Sequence, residues 1–219
     1  MYSYIRINVC RLLSEIPPHV SVVAVAKTRT PEEIAAALDA GIHIIGQNYI
    51  QEAISSRTKL NENTSCHFIG HLQSNKVKKA VELFDLIETV DNLKLATALD
   101  HQARLHGKVM PVLIEVNIGR EAQKSGVLPD ELPGIALSIE QFPNLKLHGL
   151  MTMGPHLTAE KLRPYFAETR RLFDNLQQLN LPDTNIRYLS MGMSDSYLIA
   201  IEEGANLVRL GTAIFGQRC

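Results

Sequence analysis

Val20-Ser-Val-Val-Ala-Val-Ala-Lys-Thr-Arg-Thr-Pro-Glu-Glu33 is the stretch whose reading decides the fold class. Its first half, Val20–Ala26, is a nearly unbroken apolar run, as expected of a parallel strand covered on both sides. Its second half opens a helix. Thr30 stands at the N-cap, Pro31 at the first helical position and Glu33 where it can complete a reciprocal capping pair. Beyond it, Ile34, Ala37 and Leu38 share one face, and Gly41 supplies a stop. A buried strand feeding an amphipathic helix is the repeating unit of an α/β protein.

Working outward, the same alternation recurs. Apolar runs follow at His43–Gly46, Cys66–Ile69, Leu86–Val90, Val112–Val116, Leu145–Met151, Ile186–Ser190 and Leu207–Phe215, making eight in all. Helical spacing is predicted between them at Leu72–Leu83, Leu93–His106 and Thr158–Leu179, and a first helix at Tyr2–Ser14 precedes strand one. Eight strands joined by crossover-length helices predict an α/β fold, a (β/α)₈ TIM-type barrel with an additional N-terminal helix. An open doubly wound sheet is the runner-up. Little follows strand eight, so the N-terminal helix is expected to cover the face that a last helix would otherwise protect. No linker or repeat divides the chain, and residues 1–219 are expected to form a single domain.

Composition narrows the function classes. The chain has 219 residues, 45% hydrophobic and 21% charged, with 22 basic against 23 acidic side chains. That balance leaves no electrostatic footprint for nucleic acid or an anionic membrane surface. The apolar runs are too short to span a bilayer, and the N-terminus does not read as a signal peptide. The three cysteines, Cys10, Cys66 and Cys219, lack metal-ligand spacing and are expected to be reduced thiols in the cytoplasm.

In a barrel, chemistry sits at the C-terminal ends of the strands. Lys27 directly follows strand one, where its amine would stand over the barrel mouth as an imine-forming nucleophile must. A snorkelling strand-end lysine is the plainer reading of that position. Leu189-Ser-Met-Gly-Met-Ser-Asp195 joins strand seven to the next helix and carries two hydroxyls and a glycine, a setting that favours a phosphate. Ser194 is expected both to cap that helix and to bond the phosphate. In Val208-Arg-Leu-Gly-Thr212, Gly211 allows close backbone approach, Thr212 offers a hydroxyl and Arg209 a fixed cation. Loops after strands seven and eight commonly build phosphate sites in barrels. Gly46-Gln-Asn48, His67, Glu115, Asn117 and Met151 are also expected to face the mouth, with His67 equally well read as a satisfied core histidine. Lys76-Val-Lys-Lys79 reads as a solvated helix face. An amine on strand one and a phosphate cradle at strands seven and eight call for a ligand bearing an aldehyde and a phosphate, for which pyridoxal 5′-phosphate (PLP) is the obvious biological candidate.

These segments resemble the pyridoxal-phosphate homeostasis protein family, the YggS/PROSC group. The resemblance rests on Val25-Ala-Lys27-Thr, Gly46-Gln-Asn-Tyr-Ile-Gln-Glu52, His67-Phe-Ile-Gly-His-Leu-Gln-Ser-Asn-Lys76, Gly149-Leu-Met-Thr-Met153, Leu189–Asp195 and Val208–Gly216, in consistent order along the chain. It implies a barrel related to the alanine racemase N-terminal domain, with PLP as a covalent aldimine on Lys27. It places Lys27, Asn48, Ser194, Arg209, Gly211 and Thr212 at the cofactor, and Met151 and Ser190 complete the expected cofactor-binding set. Arg209 falls opposite the pyridine nitrogen. Gln47 departs from the family, which usually has glutamate there.

Three functions compete: a PLP carrier or regulator, a PLP-dependent amino-acid racemase or decarboxylase, and a Schiff-base aldolase acting on sugar phosphates. Two-sided proton transfer needs a second acid–base group. The racemases resembled here take it from a C-terminal β-domain, for which a chain ending at Cys219 leaves no room. A cation facing the ring nitrogen also weakens the ring as an electron sink. The expectation is therefore a monomeric carrier without assigned catalytic or metal-binding residues. Its partners would be PLP and, further, PLP-dependent apo-enzymes or a regulatory protein.

Overall fold

A computed structural model describes residues 2–182 and 184–217, and Cys219 lies outside the described residues. The strands are β1 (Ser21–Val25), β2 (Ile44–Gln47), β3 (Ser65–Phe68), β4 (Leu86–Val90), β5 (Met110–Val116), β6 (Leu145–Thr152), β7 (Tyr188–Ser190) and β8 (Leu207–Leu210). All pair in parallel and in sequence order, and β8 returns to β1 with Ala24 opposite Leu210, closing the barrel. The helices are α1 (Ser3–Glu15), α2 (Pro31–Asp39), α3 (Ile50–Ser56), α4 (Val77–Leu83), α5 (Leu93–Leu105), α6 (Leu132–Glu140), α7 (Ala159–Gln178), α8 (Tyr197–Glu202) and α9 (Thr212–Phe215).

The opening unit forms as its sequence dictates. Thr30 Oγ1 accepts from the Glu33 amide at 3.2 Å while Glu33 Oε2 accepts from the Thr30 amide at 2.8 Å. One face of α2 buries Ile34 and Ala37, and Gly41 follows at φ +112°, where a side chain would be strained. α1 packs against α2 and α9, the place expected for it. Asn8 Nδ2 fastens it by donating to the Ile214 carbonyl at 3.0 Å.

Several boundaries differ from the sequence reading. The run Leu207–Phe215 is not one strand: it breaks at Gly211, and Thr212–Phe215 coils into α9. The expected helix Leu72–Leu83 begins only at Val77, after a 3₁₀ turn over Ser74–Lys76. α3 and α6 had no sequence signal. α3 has Tyr49 at its N-cap without a side-chain cap, and α6 has no side-chain cap at Glu131 and carries Gly134 in its first turn. Met151 is inside β6, not after it.

The core divides at the barrel wall. Outside, helix faces pack on the outward strand residues in one large cluster. Inside, Val23, Leu86, Leu113, Met151 and Leu207 make a separate apolar plug.

Candidate functional site

One pleat above that plug the barrel interior turns polar. His67 Nδ1 lies 2.7 Å from Glu88 Oε1, and the Ser190 hydroxyl donates to Glu88 Oε2 at 2.6 Å. Arg209 donates to Ser190 Oγ at 2.6 Å and to the Thr152 carbonyl at 2.8 Å. All four side chains are buried. Burial alone would raise the Glu88 carboxyl, but His67, Arg209 and the Ser190 hydroxyl outweigh it and hold it below the usual carboxylate range. Burial also pulls the Arg209 guanidinium down, and the Glu88 and Glu115 charges oppose that. Glu88 was not singled out from the sequence. Its signal was a lone carboxylate in Leu86-Ile-Glu-Thr-Val90, a strand buried at every position.

Lys27 stands two residues past β1, half-buried, at the second position of a tight turn closed by the Arg29 amide on the Ala26 carbonyl at 3.0 Å. Its Nζ lies 5.4 Å from the centroid of the Tyr49 ring. Thr28, the third residue of the turn, has φ +64°. That position usually takes glycine, and a β-branched residue there costs about 1–2 kcal/mol. The Thr28 amide donates to Glu52 Oε1 of α3 at 3.1 Å.

On the neighbouring strand, one hydroxyl gathers two amides. Ser194 Oγ accepts from the Gly211 amide at 3.0 Å and the Ala213 amide at 3.1 Å, at the junction of β8 and α9. This corrects its expected cap role: Ser196 is the N-cap of α8, and Ser194 reaches across to the next loop. Thr212, the first residue of α9, is exposed beside these amides.

The remaining expected residues divide. Asn48 reaches the mouth, where its buried Oδ1 has no partner, and it borders a cavity shared with Glu115, His71, Lys124, Ser125 and Met153. Gly70 lets the chain pass here, since a Cβ at that position would sit 2.3 Å from the Asn48 carbonyl oxygen. Glu115 also faces this cavity, and burial, then the Asp91 charge, push its carboxyl up to about 7 against the pull of Arg209. Met151 does not reach the mouth; it is fully buried in the plug, and Met153 lines the open cavities instead. Ser190 commits its hydroxyl proton to Glu88, so it supports Arg209 from below. Asn117 is occupied in its own loop, bonded to the Glu121 carbonyl and amide. Gln47 points outward under α3, donating to Ser56 Oγ at 3.1 Å, so the family's glutamate position belongs to the barrel wall. Lys124 escaped the sequence reading; it lines both mouth cavities and donates to the Gly154 carbonyl at 3.0 Å.

Cys10 is exposed and Cys66 buried, its thiol pushed up to about 12 by burial and then Asp85, which leaves it inert as a nucleophile. Among the described residues there is no cluster of side chains able to hold a metal, and no helix is long and apolar enough to cross a membrane.

A lysine and an amide-lined hydroxyl at the C-terminal rim of a closed barrel define a class. Residues 2–219 match the family model of the alanine racemase N-terminal domain. Alanine racemase of Clostridium difficile shares the fold at TM-score 0.78 and 16% identity, with 99% of this chain covering 56% of that one. Nearer relatives are more specific. The pyridoxal phosphate homeostasis protein of Pseudomonas aeruginosa is 41% identical over 203 residues, 92% of this chain and 86% of that protein. That of Escherichia coli K12 is 38% identical over 206 residues, covering 92% and 87%. PipY of Synechococcus elongatus, solved with PLP bound, superposes at TM-score 0.89 with 35% identity over 97% of this chain and 100% of that one. The chain belongs to the pyridoxal phosphate homeostasis protein family.

Proposed function

We propose that this chain holds PLP in the barrel mouth, bonded to Lys27, and serves cofactor homeostasis without a dedicated turnover reaction. One observation carries the reading. The Lys27 turn and the paired amides of Gly211 and Ala213 lie just beyond the Ala24–Leu210 pairing of adjacent strands β1 and β8. An amine and an anion cradle side by side suit a ligand with both an aldehyde and a phosphate. The orphaned Asn48 Oδ1 offers an acceptor for a ring hydroxyl. The PLP-bound relative supports the same ligand.

PLP held here would supply an aldehyde carbon able to bond an amine with loss of water. Lys27 Nζ is the amine that would bond it. Ser194, Thr212 and the Gly211 and Ala213 amides would hold the phosphate by charge-assisted bonds. Arg209, fixed by Ser190 and Thr152, would present a cation to the ring and disfavour protonation of its nitrogen. That arrangement suits retention and exchange of the cofactor, with amines or with an apo-enzyme, by a single-domain monomer in the cytoplasm.

The test is the visible spectrum of protein mixed with PLP, then borohydride reduction and peptide mapping. A yellow protein labelled at Lys27, with Lys27→Ala colourless yet folded, is the expected result. Label at another lysine, or none, would overturn the assignment. Glu115 is the observation that favours a racemase instead, because β5 lies across the barrel from β1 and burial pushes its carboxyl up to about 7. Chiral chromatography of amino acids after long incubation should show only trace conversion. Ordinary enzymatic rates, lost in both Lys27→Ala and Glu115→Gln, would restore the racemase.

A further inference from the structure

We propose that Glu52 is a positioning residue for Lys27, acting through the Thr28 amide to hold the lysine's turn in its strained conformation. This rests on Lys27 being the PLP-bearing amine. The turn Ala26–Arg29 places Lys27 second and Thr28 third, and Thr28 adopts φ +64°. Nothing in a β-branched side chain favours that conformation, so an outside contact must select it. Glu52 Oε1 supplies the contact at 3.1 Å, from the first turn of α3.

Glu52 costs more than a mere turn brace would. Its second oxygen, Oε2, is buried without a hydrogen-bond partner. Glu52 as a whole is half-buried, but leaving a shielded carboxylate oxygen unpartnered carries a cost that a simple turn brace does not require. The same helix turn also meets the far end of the lysine, because Tyr49 presents its ring to Nζ at 5.4 Å. Two residues at α3's entry, Tyr49 and Glu52, thus meet the amine of Lys27 and the backbone just after it. α3 is itself anchored to the barrel by Gln47 Nε2 on Ser56 Oγ at 3.1 Å. The chain of support runs from β2 through α3 to the end of β1. It fixes where the amine stands relative to the cradle on β8, which is a requirement of position, not of chemistry.

A glycine at position 28 would adopt the turn unaided, so it separates bracing from general structure. The experiment compares wild type, Glu52→Ala, Glu52→Gln, Thr28→Gly and the Thr28→Gly/Glu52→Ala double variant. Circular dichroism confirms folding, and stopped-flow absorbance follows the rate of Schiff-base formation with PLP. Hydrogen exchange of the Thr28 amide is read on the same proteins without PLP. Glu52→Ala should slow Schiff-base formation about tenfold and speed Thr28 exchange by a similar factor. Glu52→Gln, whose carbonyl oxygen still accepts, should restore most of both. In the Thr28→Gly background, removing Glu52 should cost only about twofold in rate. Equal losses in both backgrounds, or unchanged Thr28 exchange in Glu52→Ala, would overturn the role. A wild type that forms no Schiff base would instead defeat the PLP reading, and Thr28 exchange would still decide whether Glu52 holds the turn.

Discussion

Two layers of the barrel interior lie one pleat apart and have opposite chemistry. Leu86, Leu113 and Leu207 belong to the apolar plug, and two residues further along the same strands stand Glu88, Glu115 and Arg209. Tyr188 and Ser190 repeat the step on β7. Because side chains alternate with period two, each strand contributes to both layers with the same face. The lower layer holds the barrel together by excluded water. Four groups of the upper one answer one another, His67 to Glu88, Glu88 to Ser190 and Ser190 to Arg209, while Glu115 has no such partner among the described residues and its carboxyl is pushed up instead. Stability and function are thus divided by height in the barrel, and each substitution below is aimed at that division.

The largest effect should come from breaking the charged layer on one side only. Glu88→Ala leaves the Arg209 guanidinium buried without its counter-charge, which is expected to cost about 3–5 kcal/mol. Replacing both, as Glu88→Leu with Arg209→Met, should recover most of that loss, since an apolar pair can fill the space at no net penalty. Urea denaturation measures both. If Arg209 faces the ring nitrogen as proposed, the double variant should nevertheless bind PLP poorly. If the single and double variants lose equal stability, the upper layer is not a charge network in any energetic sense.

Leu113→Ala probes the layer below. Removing a fully buried side chain there should cost about 2–5 kcal/mol through lost burial and the cavity left behind. PLP affinity per folded molecule should not change. Loss of affinity in step with loss of stability would show that the plug also shapes the site.

The contrast explains what was legible in the sequence. Continuous apolar runs and the Thr30–Glu33 capping pair specify strands, helices and their order, because burial and caps leave local marks. The rim positions of Lys27, Ser194 and Gly211 were legible for the same reason, each lying beside a strand end or a turn. Glu88 was not, because one charged residue in an apolar run leaves the run intact, and its partners lie on strands far away in sequence. Met151 was placed too high because strand ends cannot be read to the residue, and one step decides whether a side chain is plug or mouth. Glu52 sits in a helix without a side-chain cap, so nothing local announced the helix or its reach to Thr28.

A smaller effect separates the layers by pH. The Glu115 carboxyl rises to about 7 in the fold, from burial first and Asp91 second, against an ordinary value near 4.5. Between those values the folded chain keeps a proton that the unfolded chain has lost, so stability falls as pH rises through that window. The loss is complete above about pH 7 and amounts to about 3 kcal/mol at most. Glu115→Gln should therefore be more stable than wild type at pH 8 and equal to it at pH 4, by thermal unfolding. An unchanged difference across that range would mean that Glu115 is solvated in the mouth and not part of the buried layer.

The smallest change in stability is expected from Ser194→Ala, where the site alone should respond. The Ser194 hydroxyl is half-exposed, and the Gly211 and Ala213 amides it bonds lie near solvent, so water can replace it. Loss of stability should stay within about 1 kcal/mol. For a phosphate the account differs. An oxygen that bonds those two amides must displace Ser194 Oγ, which can then turn and donate to the anion. Removing the hydroxyl deletes one charge-assisted bond, worth about 1.5–3 kcal/mol, but also removes a competitor for the amides. The net expectation is an affinity for PLP about tenfold weaker, with a further loss on adding Thr212→Val. Pyridoxal, which lacks the phosphate, should bind both proteins equally and poorly. Titrations of both ligands against both proteins measure the difference, and an equal loss for pyridoxal would place Ser194 at the ring rather than at the phosphate.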